Sequence, residues 1–228
     1  MERIIDLSGA LKSGMWGYYS LPGLENTIPH VTVEPIATVE KDEFFASRIT
    51  FSSISGTYLE AASHIVEGGR NLDEHKIEDF IKPAKLIRIP YVEGKDEITR
   101  EMLLKHAPKI ETGDALIIDT GWWRYWNQPG YVSDSPSYSH DALQWVIDQK
   151  ISILCVDITC IEAAWNDDEL AGEKGGLLGA LFGSGALLAA PLVNLGVVKG
   201  PVGRIYCLPL SVEGTSGAPA RIVYIEEE

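Results

Sequence analysis

A chain of 228 residues with 45% hydrophobic content is long enough to bury one sizeable core, and residues 1–228 fall within the size range of a single domain. Its 33 acidic residues outnumber 19 basic ones, for a formal charge of -14. That balance disfavours phosphate backbones and anionic bilayers, so nucleic acid and membrane are set aside as partners. Cys155, Cys160 and Cys207 show no metal-type spacing and cannot all pair with one another, which fits a reducing, cytoplasmic setting better than a disulfide scaffold.

The opening "MERIIDLSGALKSG" carries charges at once and then only a short apolar stretch, unlike a signal peptide or a spanning helix. Short runs rich in β-branched and aromatic residues, bounded by turn residues, predict strands over 46–54, 84–92, 114–122, 151–159, 203–212 and 220–227. Helical spacing is clearest over 98–108, where Met102, Leu103 and His106 share a face, and over 139–150, where Leu143, Val146 and Ile147 do. Ser139 is placed to cap the second of these. A helix running straight into an apolar strand, with "GTSGAP" turning the last two strands, indicates an α/β domain with a mixed sheet. In the glycine-rich stretch 172–196, Leu177, Leu178, Leu181 and Phe182 form a buried helical face ahead of a buried strand near 187–195. That stretch has neither the Lys-Ser/Thr ending nor the Gly-x-Gly-x-x-Gly spacing of a phosphate loop. The final "IEEE" is expected to be a solvated tail.

Chemistry concentrates in "SISGTYLEAASHIVEGG" (53–69). If this stretch is extended, Tyr58 and Glu60 share a face because alternate residues of a strand do. His64 can shuttle a proton near neutral pH, and Glu60 can orient it or act as the base. Ser55, Thr57 and Ser63 add hydroxyls for a small-molecule substrate. The alternative is a polar remnant whose members only satisfy one another. Tyr18 and Trp16, in "GMWGYYSLPG", supply a flat wall for a substrate or else ordinary packing. "TGWWRYW" (120–126) is either an aromatic and cationic rim around Arg124 or a structural corner. Cys160 is a nucleophile if His64 lies within reach, and an inert buried thiol otherwise. Asp157 and Glu162, with "NDDE" (166–169), offer carboxylates to a hard cation or simply face solvent. His30, His75, His106 and His140 have no spaced partner that would mark a metal site.

The order Ile-Ser-Gly-Thr-Tyr-Leu-Glu-Ala-Ala-Ser-His at 54–64 resembles His-x-Gly-Thr-His-x-Asp-x-Pro-x-His, the signature of the cyclase family that includes bacterial kynurenine formamidase and isatin hydrolase. "IDLSGAL", "GMWGYY", "SHIVEGGRNLDE", "GDALIIDTGWWRYW", "ILCVDITCIE", "APLVNL" and "LPLSVEGTSGAPARIVYI" resemble further family blocks in family order. The resemblance implies a swivelling β/β/α domain, a homo-oligomer, and a zinc or manganese pair that activates water against an amide or lactam carbonyl. It implies ligands His, His and Asp at the positions of Ile54, Tyr58 and Glu60. A further Glu would fall at Ala190 and a further His around Gly176 to Leu178. The signature's last His, a general acid or base beside the metals, is His64, and a pocket-lining aromatic falls at Tyr18.

Ile54 has no lone pair to give, and Tyr58 would have to lose a proton of pKa about 10 to bind as an anion. No His follows His140, so only Glu60 keeps ligand chemistry from that set and tight binding of a transition metal is not expected there. Three readings follow. The chain is a cyclase-family enzyme acting on a small carbonyl compound by metal-free acid–base catalysis through His64, Glu60 and Tyr58, with no cofactor; the reaction would be cyclisation, dehydration, isomerisation or an easy hydrolysis. Or it is a zinc- or manganese-dependent amide or lactam hydrolase of the kynurenine formamidase type. Or it is a catalytically silent binding or partner subunit. The first is the expectation taken forward.

Overall fold

The computed structural model describes residues 2–163 and 176–226, so the acidic run 166–169 lies outside the described residues. The strands are β1 (Arg3–Asp6), β2 (Thr32–Ala37), β3 (Ala46–Thr50), β4 (Tyr58–Glu60), β5 (Ile81–Arg88), β6 (Glu97–Ile98), β7 (Ala115–Asp119), β8 (Ser137–Tyr138), β9 (Ile153–Val156), β10 (Leu187–Ala190), β11 (Val202–Pro209) and β12 (Gly217–Glu226). The helices are α1 (Val39–Asp42), α2 (Arg100–His106), α3 (His140–Asp148) and α4 (Gly176–Gly183).

Eight strands form one mixed sheet in the order β1-β12-β11-β5-β7-β9-β10-β4, and a further pairing of β12 with β4 closes it into a barrel. Strands β5, β7, β9 and β10 run parallel, while the β10–β4, β11–β5, β11–β12, β12–β4 and β1–β12 pairs are antiparallel. Closure removes the sheet edge that would otherwise be left open at β4. Alternation of side chains then separates two cores. Leu59, Leu86, Ile117, Cys155, Ala189, Ile205 and Ile222 fill the barrel interior. Leu116, Ile118, Leu154, Val156 and Leu188 face outward, under Leu103 of α2, Leu143 and Val146 of α3 and Leu181 of α4. Strands covered on both faces read as unbroken apolar runs, which is why β7 and β9 stand out in the sequence.

α3 matches its spacing, and the Ser139 hydroxyl accepts the Ala142 N–H at 3.3 Å; α2 is shorter than the predicted 98–108, and of its expected face only Leu103 is buried. Glu226, expected in a solvated tail, instead ends β12 and is buried. The strand predicted over 46–54 is too long, since β3 stops at Thr50 and a turn follows. Within that turn Gly56 has φ +68°, so the glycine is required by the backbone. The strand predicted over 114–122 also overruns. After Asp119 the chain turns, Trp122 Nε1 donates to Tyr131 O at 3.0 Å, and the Arg124 guanidinium lies 4.9 Å from the Trp123 ring centre. The tryptophan-rich stretch is a structural corner. Strands β2 and β3 pair only with each other, as a hairpin apart from the barrel. Among the described residues no helix is long and apolar enough to cross a membrane.

Candidate active site

Pairing on both edges of β4 positions the site. Tyr58 lies opposite Ala190 of β10 and Pro219 of β12, and Glu60 lies opposite Leu188 and Gly217. Leu59 enters the barrel interior, so Tyr58 and Glu60 project to the outer side, as strand alternation requires. An added Cβ on Gly217 would stand 3.1 Å from Glu60 Cγ; the glycine leaves room for the carboxylate stem. Tyr58, Glu60, His64 and Tyr18 line one cavity of about 810 Å³, a volume suited to a small molecule. Leu21, Leu24, Ile28, Ile54, Leu178 and Leu188 form its apolar wall. Other lining charges are engaged: Lys95 pairs with Asp134 at 3.2 Å, and Glu162 accepts the Leu178 N–H of α4 at 3.0 Å.

Glu60 is 2% exposed, and burial pushes its carboxyl up from 4.5 to about 8. The chain then enters a single helical turn, Ala62–His64. This turn brings His64 Nδ1 to 3.2 Å from Glu60 Oε1 while leaving the imidazole side chain 31% exposed. Burial lowers the His64 pKa below 6.5. An ion pair would need both groups charged, and desolvation opposes each charged form. A protonated carboxyl against a neutral imidazole is therefore the state the apolar wall favours at neutral pH.

Behind this pair the Tyr18 and Tyr58 hydroxyls are 2.7 Å apart, and Tyr18 donates to the Thr159 carbonyl. Burial holds both phenols neutral, with pKa values well above 10. Tyr58 is thus no anionic ligand, and it stands in register with Ala190, which has no donor side chain. Ile54 adds only wall carbon, and residues 176–178 begin α4 without a donor side chain. Among the described residues no group of three or more His, Cys, Asp or Glu is arranged to hold a metal ion. The zinc or manganese pair that the resemblance implies does not fit the described residues at those positions, Ile54, Tyr58 and Ala190.

The remaining expected site residues divide. Ser55 Oγ accepts the Ser52 N–H at 3.0 Å and meets Ser52 Oγ at 3.0 Å. Thr57 Oγ1 donates to Pro191 O at 2.7 Å and accepts the Gly9 N–H at 2.9 Å. These hydroxyls tie the turn to its neighbours, and neither residue lines the cavity. Ser63 Oγ is buried without a hydrogen-bond partner among the described residues and also lies outside the lining. Trp16 packs edge-on to Tyr18 at 5.7 Å and Trp126 at 5.2 Å, behind the wall. Cys160 does line the cavity, but burial pushes its thiol up to about 12, which leaves no thiolate to act as a nucleophile. Asp157 is no cation ligand, because it accepts from Thr120 N at 3.1 Å, Thr120 Oγ1 at 2.8 Å and Trp123 N at 3.3 Å. The apolar wall residues were missed because isolated Leu and Ile positions carry no motif; the nearness of 21–28 to Tyr18 was the one signal present.

A family model described as "Putative cyclase" matches residues 5–163. A rice protein (Oryza sativa subsp. japonica) called cyclase-like protein 3 is 24% identical over 186 residues, covering 79% of this chain; the chain spans 65% of that relative's length. Among solved structures, isatin hydrolase A from Ralstonia solanacearum superposes with a TM-score of 0.84 at 18% identity, covering 99% of this chain and 92% of the other. Isatin hydrolase A from Labrenzia aggregata, bound to benzyl benzoate, gives 0.82 at 20% identity, with 100% and 94% covered. A structure described as a potential metal-dependent hydrolase with cyclase activity gives 0.77 at 23% identity, covering 100% of both chains.

Proposed function

The chain belongs to the cyclase family, and from that premise we propose that it is an enzyme of small carbonyl compounds working by metal-free acid–base catalysis. The observation that carries this reading is Glu60, a buried carboxyl raised to about 8 that lines a cavity of about 810 Å³ and pairs with His64 at 3.2 Å. A carboxyl kept protonated at neutral pH can donate to a carbonyl oxygen, and in a dry site that donation is worth more than in water. His64 reaches both solvent and Glu60, so it relays the proton that the buried acid gives up or receives. Tyr58 contributes a neutral hydroxyl beside them. Enolisation, dehydration or ring closure at the carbonyl suits such a pair, and the isatin hydrolase likeness adds hydrolysis of a reactive carbonyl to the reactions worth assaying.

The test is proton exchange and turnover over a panel of small ketones, lactones and lactams, followed by NMR in deuterated buffer with chelator present. Activity should persist without metal and fall roughly 10²- to 10⁴-fold in Glu60→Gln. Activity that appears only when zinc or manganese is added overturns the reading.

We also infer a homo-oligomer. The β2–β3 hairpin exposes Ile36, Phe44, Phe45 and Ile49, and an isolated two-stranded hairpin with apolar faces in water is marginal. Light scattering should give a multiple of 25.0 kDa that Phe45→Glu reduces; a monomeric wild type rejects the inference.

A further inference from the structure

The hydrogen-bond chain behind Glu60 has only one direction. A carbonyl cannot donate, so the single Tyr18 proton goes to the Thr159 oxygen and none is left for Tyr58. The 2.7 Å contact between the two phenols therefore places the Tyr58 proton on the Tyr18 oxygen. Tyr58 is left with lone pairs alone, and no other hydrogen bond reaches its oxygen among the described residues. Thr159, Tyr18 and Tyr58 all line the cavity, as does Glu60 two residues along the same strand face. A protonated Glu60 is a donor, Tyr58 is a fixed acceptor, and the charged groups nearby are already paired.

We propose that the cavity selects an uncharged ligand carrying an O–H or N–H donor beside its carbonyl, with Tyr58 as the acceptor for that donor and Tyr18 as the residue that orients Tyr58. The inference rests on the cavity being the substrate site proposed above. Selectivity arises because a ligand lacking the donor leaves the buried Tyr58 lone pairs unmet, and because a carboxylate would enter an apolar wall that already holds Glu60. The Tyr18 hydroxyl is a positioning group: it acts by taking up the Tyr58 proton.

The experiment is calorimetric binding, without turnover, of three phenyl ketones: 2-hydroxy-1-phenylethanone, its methyl ether 2-methoxy-1-phenylethanone, longer by one carbon, and 1-phenylpropan-1-one as the apolar control of the same size as the hydroxy ketone. Wild type should prefer the hydroxy ketone to the ether by roughly tenfold. In Tyr18→Phe the Tyr58 hydroxyl is free to turn its proton toward the ligand, so the preference should shrink towards unity while the control binds as before. Tyr58→Phe, which removes the acceptor outright, should give the same collapse and serves if Tyr18→Phe does not fold. Equal binding of hydroxy ketone and ether by wild type, retention of the preference in both variants, or no binding of the hydroxy ketone each overturns the proposal. A wild type that shows the preference yet catalyses nothing without metal overturns the proposed function and leaves this assignment standing.

Discussion

Two buried carboxyls in this protein have the same burial and the same direction of shift, and opposite surroundings. Asp157 is pushed up to about 7, by burial first and by the neighbouring Asp119 charge second, while three donors from Thr120 and Trp123 pull it back. Those donors are the turn that follows β7, so Asp157 holds the corner at 120–123 together. Glu60 is pushed up to about 8 by burial alone and meets a half-open imidazole at the edge of a cavity. A raised pKa thus marks neither site by itself. What separates a structural carboxyl from a candidate acid is whether its oxygens are already occupied and whether a ligand can reach them.

Substitution should divide the two cleanly. Glu60→Gln is expected to remove roughly 10²- to 10⁴-fold of activity while leaving the protein no less stable at neutral pH, because the amide removes the ionisation that opposes burial of the wild-type carboxyl. Asp157→Asn should do the reverse, costing about 2–3 kcal/mol in urea denaturation because an amide NH₂ would face the turn's N–H donors. A Glu60→Gln protein that loses as much stability as Asp157→Asn would make Glu60 structural.

The pH dependence sharpens the contrast. Activity that needs the protonated Glu60 should fall as pH rises through about 8 and, with His64 as the relay, also on the acid side below 6.5 where the imidazole charges. Stability carries the same signature. The Glu60 pKa is higher folded than its ordinary 4.5, so the native state holds the extra proton between these values. Its contribution is full below 4.5 and is lost as pH rises through about 8. The difference in stability between wild type and Glu60→Gln should follow that window, whereas for Asp157 the corresponding window closes near about 7. A difference that is flat with pH would mean that Glu60 is not held protonated. The smallest effect concerns Ser63, whose buried hydroxyl lacks a partner among the described residues. Ser63→Ala should be neutral or stabilising by up to about 1 kcal/mol in thermal unfolding, and a clear loss would reveal a hydrogen bond to water or ligand.

Much of this was legible in the residues themselves. The apolar runs of β7 and β9, the Ser139 cap and the four apolar positions of α4 announce themselves because local spacing and burial agree there. Tyr58, Glu60 and His64 were legible as a group from their order alone, as was the change at Ile54. β4 was not, since three residues are too few to display a period, and its existence depends on partners at 187–190 and 217–219.

The sequence by itself determined the alternating mixed α/β pattern, the family likeness and the absence of donor side chains at Ile54 and Ala190. Only the tertiary structure decided that Ala190 lies opposite Tyr58, that Ser55 and Thr57 are turned to the backbone, and that the Tyr18 and Tyr58 hydroxyls meet at 2.7 Å. Those outcomes depend on which strands meet and where each hydrogen goes, and such long-range pairings leave no local mark on the chain.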